Sequence, residues 1–138
     1  MINANELRLG NIVSYKGVIG KVTWIQQECI TIEYQRQNDL SNGSMVSPEL
    51  LDGVIITRKI LDKIKELEFK NNVYYFKSKY WESISKISIN YFDNNCYNTN
   101  YFIVNMSGIR INICYLHELQ NLFQALSQKE LDTTKLFD

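Results

Sequence analysis

The chain has one histidine, His117, in the run His117-Glu118-Leu119-Gln120-Asn121. A zinc protease of the H-E-x-x-H type needs a second histidine where Asn121 stands, so one chain cannot build that site. The cysteines Cys29, Cys96 and Cys114 are far apart and form no C-x-x-C pair. The sequence therefore predicts no metal site and no disulfide framework, and it favours a capping or helix-face role for His117 over a catalytic pair with a cysteine.

Phosphate-binding and nucleophile motifs give the same result. The six glycines form neither a G-x-G-x-x-G nor a G-x-x-x-x-G-K-[ST] loop. The S-x-x-K run Ser83-Ile84-Ser85-Lys86 lacks its S-D-N and K-T-G companions and lies in a strand-like segment. Acidic pairs such as Glu66 with Glu68 are assigned to solvated faces. We expect no enzymatic activity and no cofactor.

Aromatic side chains are concentrated in residues 74–102, which hold ten of the 17 in the chain. Neighbouring residues on a strand point to opposite faces, so pairs such as Tyr74 and Tyr75 cannot both enter one core. Residues 57–90 also carry eight basic and four acidic side chains. We therefore predict an exposed binding surface made of Tyr74, Tyr75, Lys77, Lys79, Tyr80, Trp81, Tyr91, Tyr97 and Tyr101.

Three interpretations of this surface stay open. Rings beside lysines suit a protein interface, where Tyr and Trp supply large contact areas. They also suit stacked bases with phosphates on ammonium groups, so single-stranded nucleic acid or a small nucleotide messenger is the alternative ligand. The third interpretation is a solvated sheet face with no partner. Tyr15, Trp24 and Tyr34 form a second candidate groove, although core packing is favoured for Trp24.

Charge and hydropathy argue against binding that is dominated by electrostatic attraction to nucleic acid or to an anionic membrane, and against a membrane-spanning segment. The 138 residues include 15 basic and 15 acidic side chains, without the basic excess typical of proteins dominated by phosphate contacts. No apolar run reaches the 18 or so residues that span a bilayer, and the start of the chain has no signal-peptide pattern. The sequence predicts a cytoplasmic protein with no membrane partner.

The elements that would position these residues indicate an α+β fold. Residues 11–34 read as three strands, 35–48 as a mobile loop and 54–56 as a short strand, which together predict a small barrel-like β meander over residues 1–56. Helical spacing over residues 57–67 is followed by four strands between 73 and 113 and a helix over 115–126. This helix–sheet–helix subdomain covers residues 57–126, and residues 127–138 form a short helical turn and tail.

The two ends of the chain resemble a known family. The runs Asn5-Glu6-Leu7-Arg8-Leu9-Gly10-Asn11 and His117-Glu118-Leu119-Gln120-Asn121-Leu122 are similar to the patterns NELRxGNxV and HxLQNLxxALxGxEL. These patterns are typical of uncharacterised small proteins of phages, prophages and mobile elements of gut anaerobes. Two departures are Glu68 in place of a usual Gly and Ser127-Gln128 in place of Thr-Gly.

The resemblance implies the source of the protein, a phage or mobile element, and no established activity. Short accessory proteins of this kind act as host-takeover factors, defence antagonists or nucleic-acid-associated proteins, by analogy. Our leading hypothesis is a non-enzymatic phage or mobile-element protein that binds a host macromolecule, with antagonism of host defence as its role in the host–virus interaction. A nucleotide binder is second and an enzyme third.

Overall fold

A computed structural model describes residues 2–27, 29–33, 43–77, 88–92, 101–106 and 109–137. The chain divides into two compact units. Unit 1 contains Met1–Ile55, Tyr115–Asn121 and Phe137, and unit 2 contains Ile56–Cys114, Leu122–Leu136 and Asp138. The sequence assigned the whole C-terminal helix to the second subdomain, whereas its first half belongs to unit 1.

Unit 1 is built on an antiparallel sheet with the strand order β4-β3-β2-β1-β5. Lys16 and Gly17, with φ of 50° and 77°, form the predicted turn between β1 and β2, a backbone that matches the twist of paired strands. The described strands do not close into a barrel, so the barrel-like meander is an open sheet. Its strands are β1 Ile12–Tyr15, β2 Val18–Ile25, β3 Ile30–Glu33, β4 Gly43–Val46 and β5 Asp52–Gly53.

Two segments of unit 1 differ from the sequence prediction. The predicted loop over residues 35–48 contains β4, because Gly43–Val46 pairs residue by residue with β3. The strand predicted over residues 54–56 lies earlier, as β5 paired with β1, and Ile55 forms only an isolated bridge. Residues Ala4–Glu6 and Pro48–Leu50 each form a 3₁₀ turn. The core of unit 1 consists of Ile2, Leu7, Val13, Val22, Ile30, Ile32, Val46 and Leu51.

Unit 2 contains a five-stranded antiparallel sheet in the order β10-β9-β8-β7-β6, one strand more than predicted. The predicted helix over residues 57–67 is only five residues long, α1 Arg58–Asp62. Leu67–Lys70 is a strand instead, because Asn71 and Asn72 adopt φ of 52° and 63° and turn it onto the next strand. The strands are β6 Leu67–Lys70, β7 Val73–Phe76, β8 Ser88–Phe92, β9 Tyr101–Met106 and β10 Ile109–Ile113.

The closing helix, α2 Leu116–Ser127, carries the predicted apolar stripe. Leu116, Leu119 and Phe123 are buried, and Phe123 stacks on Phe76 of unit 2 with ring centroids 5.2 Å apart. The short helical turn predicted after Ser127 lies at Thr134–Phe137. The fold class is mixed α+β, as predicted. Within the described part of the chain, no helix has the length and apolar character needed to cross a bilayer.

Candidate binding surfaces and the buried polar cluster

The predicted aromatic surface begins with a buried residue. Tyr74 is only 4 % exposed, and its hydroxyl donates a hydrogen bond to Asp62 Oδ1 at 2.7 Å. Its ring contacts Phe69, with centroids 4.8 Å apart. In the sheet register Tyr74 pairs with Ile89, which pairs with Val104, and both are fully buried. Tyr74 therefore belongs to the core of unit 2 and not to a docking surface.

Tyr75 lies on the opposite, more open face of the same sheet. It pairs with Glu68 on one side and, through Ser88 of β8, with Asn105 on the other. Asn105 in turn pairs with Arg110, which is exposed. We call Glu68, Tyr75, Asn105 and Arg110 the polar row. Lys77, also predicted, is half-buried just beyond β7.

The other predicted site residues are placed less fully. Lys79, Tyr80, Trp81 and Tyr97 lie outside the described residues. Tyr91 and Tyr101 lie in β8 and β9, where Tyr91 pairs with Phe102 and Tyr101 pairs with Phe92. The structure describes their backbone only.

An apolar surface lies on the sheet of unit 1, where the sequence favoured core packing for Trp24. That expectation is wrong, since Trp24 is 57 % exposed. The register is irregular between Val22 and Trp24, and this bulge leaves Trp24 opposite Thr31. Thr31 pairs with Met45, which is 71 % exposed. We call Trp24, Thr31 and Met45 the apolar row.

The remaining members of the predicted groove do not join this row. Tyr15 is partly buried and packs against the core of unit 1. Tyr34 lies outside the described residues.

His117 lies in the first turn of α2 and is 1 % exposed. Its ring stacks on Tyr115 with centroids 5.7 Å apart and an interplanar angle of 14°. Its Nε2 lies 3.8 Å from Glu6 Oε2, and neither ring nitrogen has a hydrogen-bond partner within the described residues. Burial lowers the pKa of His117, and this effect exceeds the opposing effects of Glu118 and Glu6. A buried neutral imidazole packed on a ring is a helix-face residue, as the sequence favoured.

A hydrogen-bond cluster joins the two runs that carry the family resemblance. Asn121 Oδ1 accepts hydrogen bonds from Arg8 Nε at 2.7 Å and from Asn11 Nδ2 at 2.9 Å. Asn121 Nδ2 donates to the carbonyl oxygen of Glu6 at 2.7 Å. Asn11 Oδ1 accepts from the backbone N–H of Arg8 at 2.8 Å. Because Asn11 is fully buried, these bonds satisfy polar groups that water cannot reach.

Gln120 adds a second set of bonds to the same cluster. It is 1 % exposed, its Oε1 accepts from the backbone N–H of Ile12 at 2.8 Å, and its Nε2 donates to the carbonyl oxygen of Gly10 at 3.0 Å. We call the contact between residues 6–12 and residues 117–121 the clasp. The clasp was not predicted from the sequence, although Gln120 lies within the apolar stripe between Leu116 and Phe123, where a polar residue indicates a buried polar partner.

A buried carboxyl group was also missed. Glu66, expected on a solvated face, is 3 % exposed. Its Oε1 accepts from the backbone N–H of Asp132 at 3.0 Å, while its Oε2 has no hydrogen-bond partner within the described residues. Lys65 Nζ, 2.7 Å from Asp132 Oδ2, holds the pKa of that carboxyl well below its usual range. The C-terminal segment is thus fixed to residues 65 and 66.

Neither the two rows, nor the clasp, nor the surroundings of Glu66 bring together side chains that could bind a metal ion, as far as the structure describes them. Groups of three or more His, Cys, Asp or Glu side chains suited to a metal ion do not occur among the described residues. No family model, curated protein or solved structure matches this chain. The apolar row and the polar row are therefore the candidate binding surfaces.

Proposed function

We propose that this chain is a non-enzymatic accessory protein of a phage or mobile element, and that it binds a host protein through the apolar row. The observation that carries the proposal is the exposure of Trp24 and Met45, 57 % and 71 %, in one line across β2, β3 and β4. Large apolar side chains grouped on a surface are typical of interaction sites.

The row lies on strands that are anchored in the core of unit 1, which suits recognition. Val22, Ile32 and Val46, which neighbour the row along the three strands, are buried in the core. Adjacent strands are about 4.8 Å apart, so the row spans roughly 10 Å across the sheet. Trp supplies the contact area that dominates many interfaces, and Met adapts its shape to a partner.

Polar residues border the row. Lys21 and Glu33 face each other across β2 and β3, beyond the Val22–Ile32 pair. Protein interfaces commonly have an apolar centre and a polar rim, so this arrangement supports a folded protein surface with an apolar pocket as the partner.

The experiment is an affinity capture from host lysate with the full chain as bait, followed by mass spectrometry. We expect wild-type protein to retain one host protein that Trp24→Ala and Met45→Ala fail to retain. Leu50→Ala is the matched control, because Leu50 is also apolar and 55 % exposed but lies outside the row. Circular dichroism spectra of the three variants should coincide with that of the wild type. Capture by both row variants at the wild-type level, or no capture by the wild type, rejects the proposal.

Cytoplasmic location and antagonism of host defence belong to the same proposal; the start of the sequence, which has no signal-peptide pattern, supports the first, and the family resemblance supports the second. The direct test is expression of the chain in a host that carries active defence systems, followed by phage challenge. We expect increased phage plating with the wild type and no increase with Trp24→Ala.

The second candidate is a binder of nucleotides, favoured by the distribution of charge. Unit 1 carries four basic and seven acidic residues, whereas unit 2 carries eleven basic and eight acidic ones. In unit 2 the polar row places the half-buried Tyr75 in line with the exposed Arg110. A ring and a guanidinium are suitable contacts for a base and a phosphate.

Fluorescence anisotropy with labelled single-stranded oligonucleotides separates this candidate from the first. Binding through phosphates weakens steeply with added salt, and Arg110→Ala should reduce it while Lys16→Ala in unit 1 should not. For a nucleotide messenger, thermal shifts across a panel of cyclic and linear nucleotides are the corresponding measurement. Unchanged anisotropy at low salt together with flat thermal shifts rejects nucleotide binding.

A further inference from the structure

His117 occupies a position in the clasp where a positive charge cannot be hydrated. The side chain is 1 % exposed and stacks on Tyr115. On the same helix, Gln120 and Asn121 lie one turn further on and bond to residues 6–12. The imidazole therefore adjoins the bonds that join the start of the chain to α2.

The charged and titratable groups around this imidazole come from both sides of the clasp. Glu6, from the N-terminal 3₁₀ turn, faces it at 3.8 Å but has a side chain that is 56 % exposed. Glu118 is its neighbour on α2, and the phenol of Tyr115 belongs to the stacked ring. Arg8 carries the positive charge of the clasp and bonds to Asn121 and to the carbonyl oxygen of Gln120.

We propose that protonation of His117 releases residues 6–12 from α2, which makes the clasp an acid-sensitive device. An imidazolium has two N–H donors, and both ring nitrogens lack hydrogen-bond partners among the described residues. Glu6 is the nearest acceptor, but its exposed carboxylate is screened by water and lies beyond hydrogen-bond distance. Opening the clasp lets water solvate the charge.

The direction of the pH dependence follows from linkage. In the open state His117 titrates near its ordinary pKa of 6.5, whereas burial lowers the pKa in the closed state. Below pH 6.5 the open state binds more protons, so acid favours opening. Between pH 7.5 and pH 5.5 the equilibrium constant for opening should therefore rise, by at most about tenfold for a single group with an open-state pKa of 6.5.

Hydrogen exchange of the full-length protein measures this opening. The backbone N–H of Ile12 donates to Gln120 Oε1 across the clasp, so its exchange reports directly on the opening. After correction for intrinsic exchange rates, we expect its protection to fall, by up to about tenfold, from pH 7.5 to pH 5.5. Val104 and Ile111, paired strand residues of unit 2, should keep their protection. Equal loss in both units, or no loss at Ile12, overturns the proposal.

A variant and a titration isolate His117 itself. His117→Gln keeps a neutral polar side chain and should abolish the acid-dependent loss of protection at Ile12. Because the chain has one histidine, NMR titration of the wild-type imidazole needs no assignment and is valid even if the variant does not fold. A midpoint below 6.5 supports the proposal, and a midpoint at or above 6.5 overturns it.

Discussion

Asn121 accepts a hydrogen bond from Arg8 Nε at 2.7 Å, although 113 positions separate the two residues in the chain. The same Oδ1 also accepts a hydrogen bond from Asn11 Nδ2, and Asn121 Nδ2 donates to the carbonyl oxygen of Glu6. Unit 1 is thus completed by a segment far along the chain from its sheet, Tyr115–Asn121. Its residues 1–55 lack the acceptors that their own buried polar groups require until α2 is present.

Replacing Asn121 tests this dependence. Asn121→Ala removes three hydrogen bonds and leaves Asn11 Nδ2 buried without its acceptor, so we expect the free energy of unfolding to fall by about 1–3 kcal/mol. Urea denaturation followed by circular dichroism measures the loss. Asn112→Ala, an exposed asparagine on β10, is the control and should change stability by less than about 0.5 kcal/mol. Equal stability of the two variants would show that the clasp is dispensable.

Gly53 and Tyr115 form a second close contact in unit 1. A Cβ on Gly53 would lie less than 3.0 Å from the Tyr115 ring. Gly53→Ala therefore forces the ring to move, and overpacking of this kind costs about 1–3 kcal/mol. Gly43→Ala is the matched control, because a Cβ there meets Thr31 at an ordinary 3.7 Å. Thermal melts should show a lower midpoint for Gly53→Ala only, and adding Tyr115→Ala should recover part of the loss.

The end of α2 is strained at Gln128, which has φ of 59° directly after the last helical residue. A left-handed backbone costs a residue with a Cβ roughly 1–2 kcal/mol, and glycine is the usual residue at this position. Gln128→Gly should therefore stabilise the protein, by about 0.5–1 kcal/mol once the extra freedom of the unfolded glycine is deducted. Gln124→Gly, inside the helix, should have the opposite sign and destabilise by about 1 kcal/mol. Differential scanning calorimetry of both variants gives the comparison.

The sequence predicted the fold class because the periodic signals were local. Alternating residues such as Ile30 and Ile32 indicate a strand wherever the partner lies, and the Lys16-Gly17 turn needs only its own two residues. The helix predicted over residues 57–67 was too long because Leu67 suits helical spacing as well as a strand. Leu67–Lys70 becomes a strand because Asn71 and Asn72, with positive φ values, form the turn that brings it beside β7.

The candidate sites were harder to predict because they depend on contacts between distant residues. Because neighbouring strand residues lie on opposite faces, the sequence predicts that one of Tyr74 and Tyr75 is less buried than the other. Which of the two is buried depends on distant contacts, such as the hydrogen bond from the Tyr74 hydroxyl to Asp62 of α1. The exposure of Trp24 follows from a bulge in β2, for which the sequence has no specific signal. The buried contact of Gln120 could have been predicted from the sequence, since a polar residue within an apolar stripe indicates a buried polar partner.

Tyr74 provides a test at alkaline pH. Burial and the hydrogen bond to Asp62 raise the pKa of Tyr74 from 10.0 to about 12. Between these values the unfolded chain loses the phenolic proton and the folded chain keeps it, so the contribution of this group to stability is lost as pH rises from 10 through 12. Tyr74→Phe lacks the bond to Asp62 and should be less stable than the wild type at neutral pH, by about 1 kcal/mol, with the gap narrowing in that window. Phenolate absorbance should show a late step near pH 12 in the wild type and in Tyr75→Phe, and this step should be smaller by one tyrosine in Tyr74→Phe. If the late step keeps its full size in Tyr74→Phe, the Asp62 contact is not the one that holds the proton.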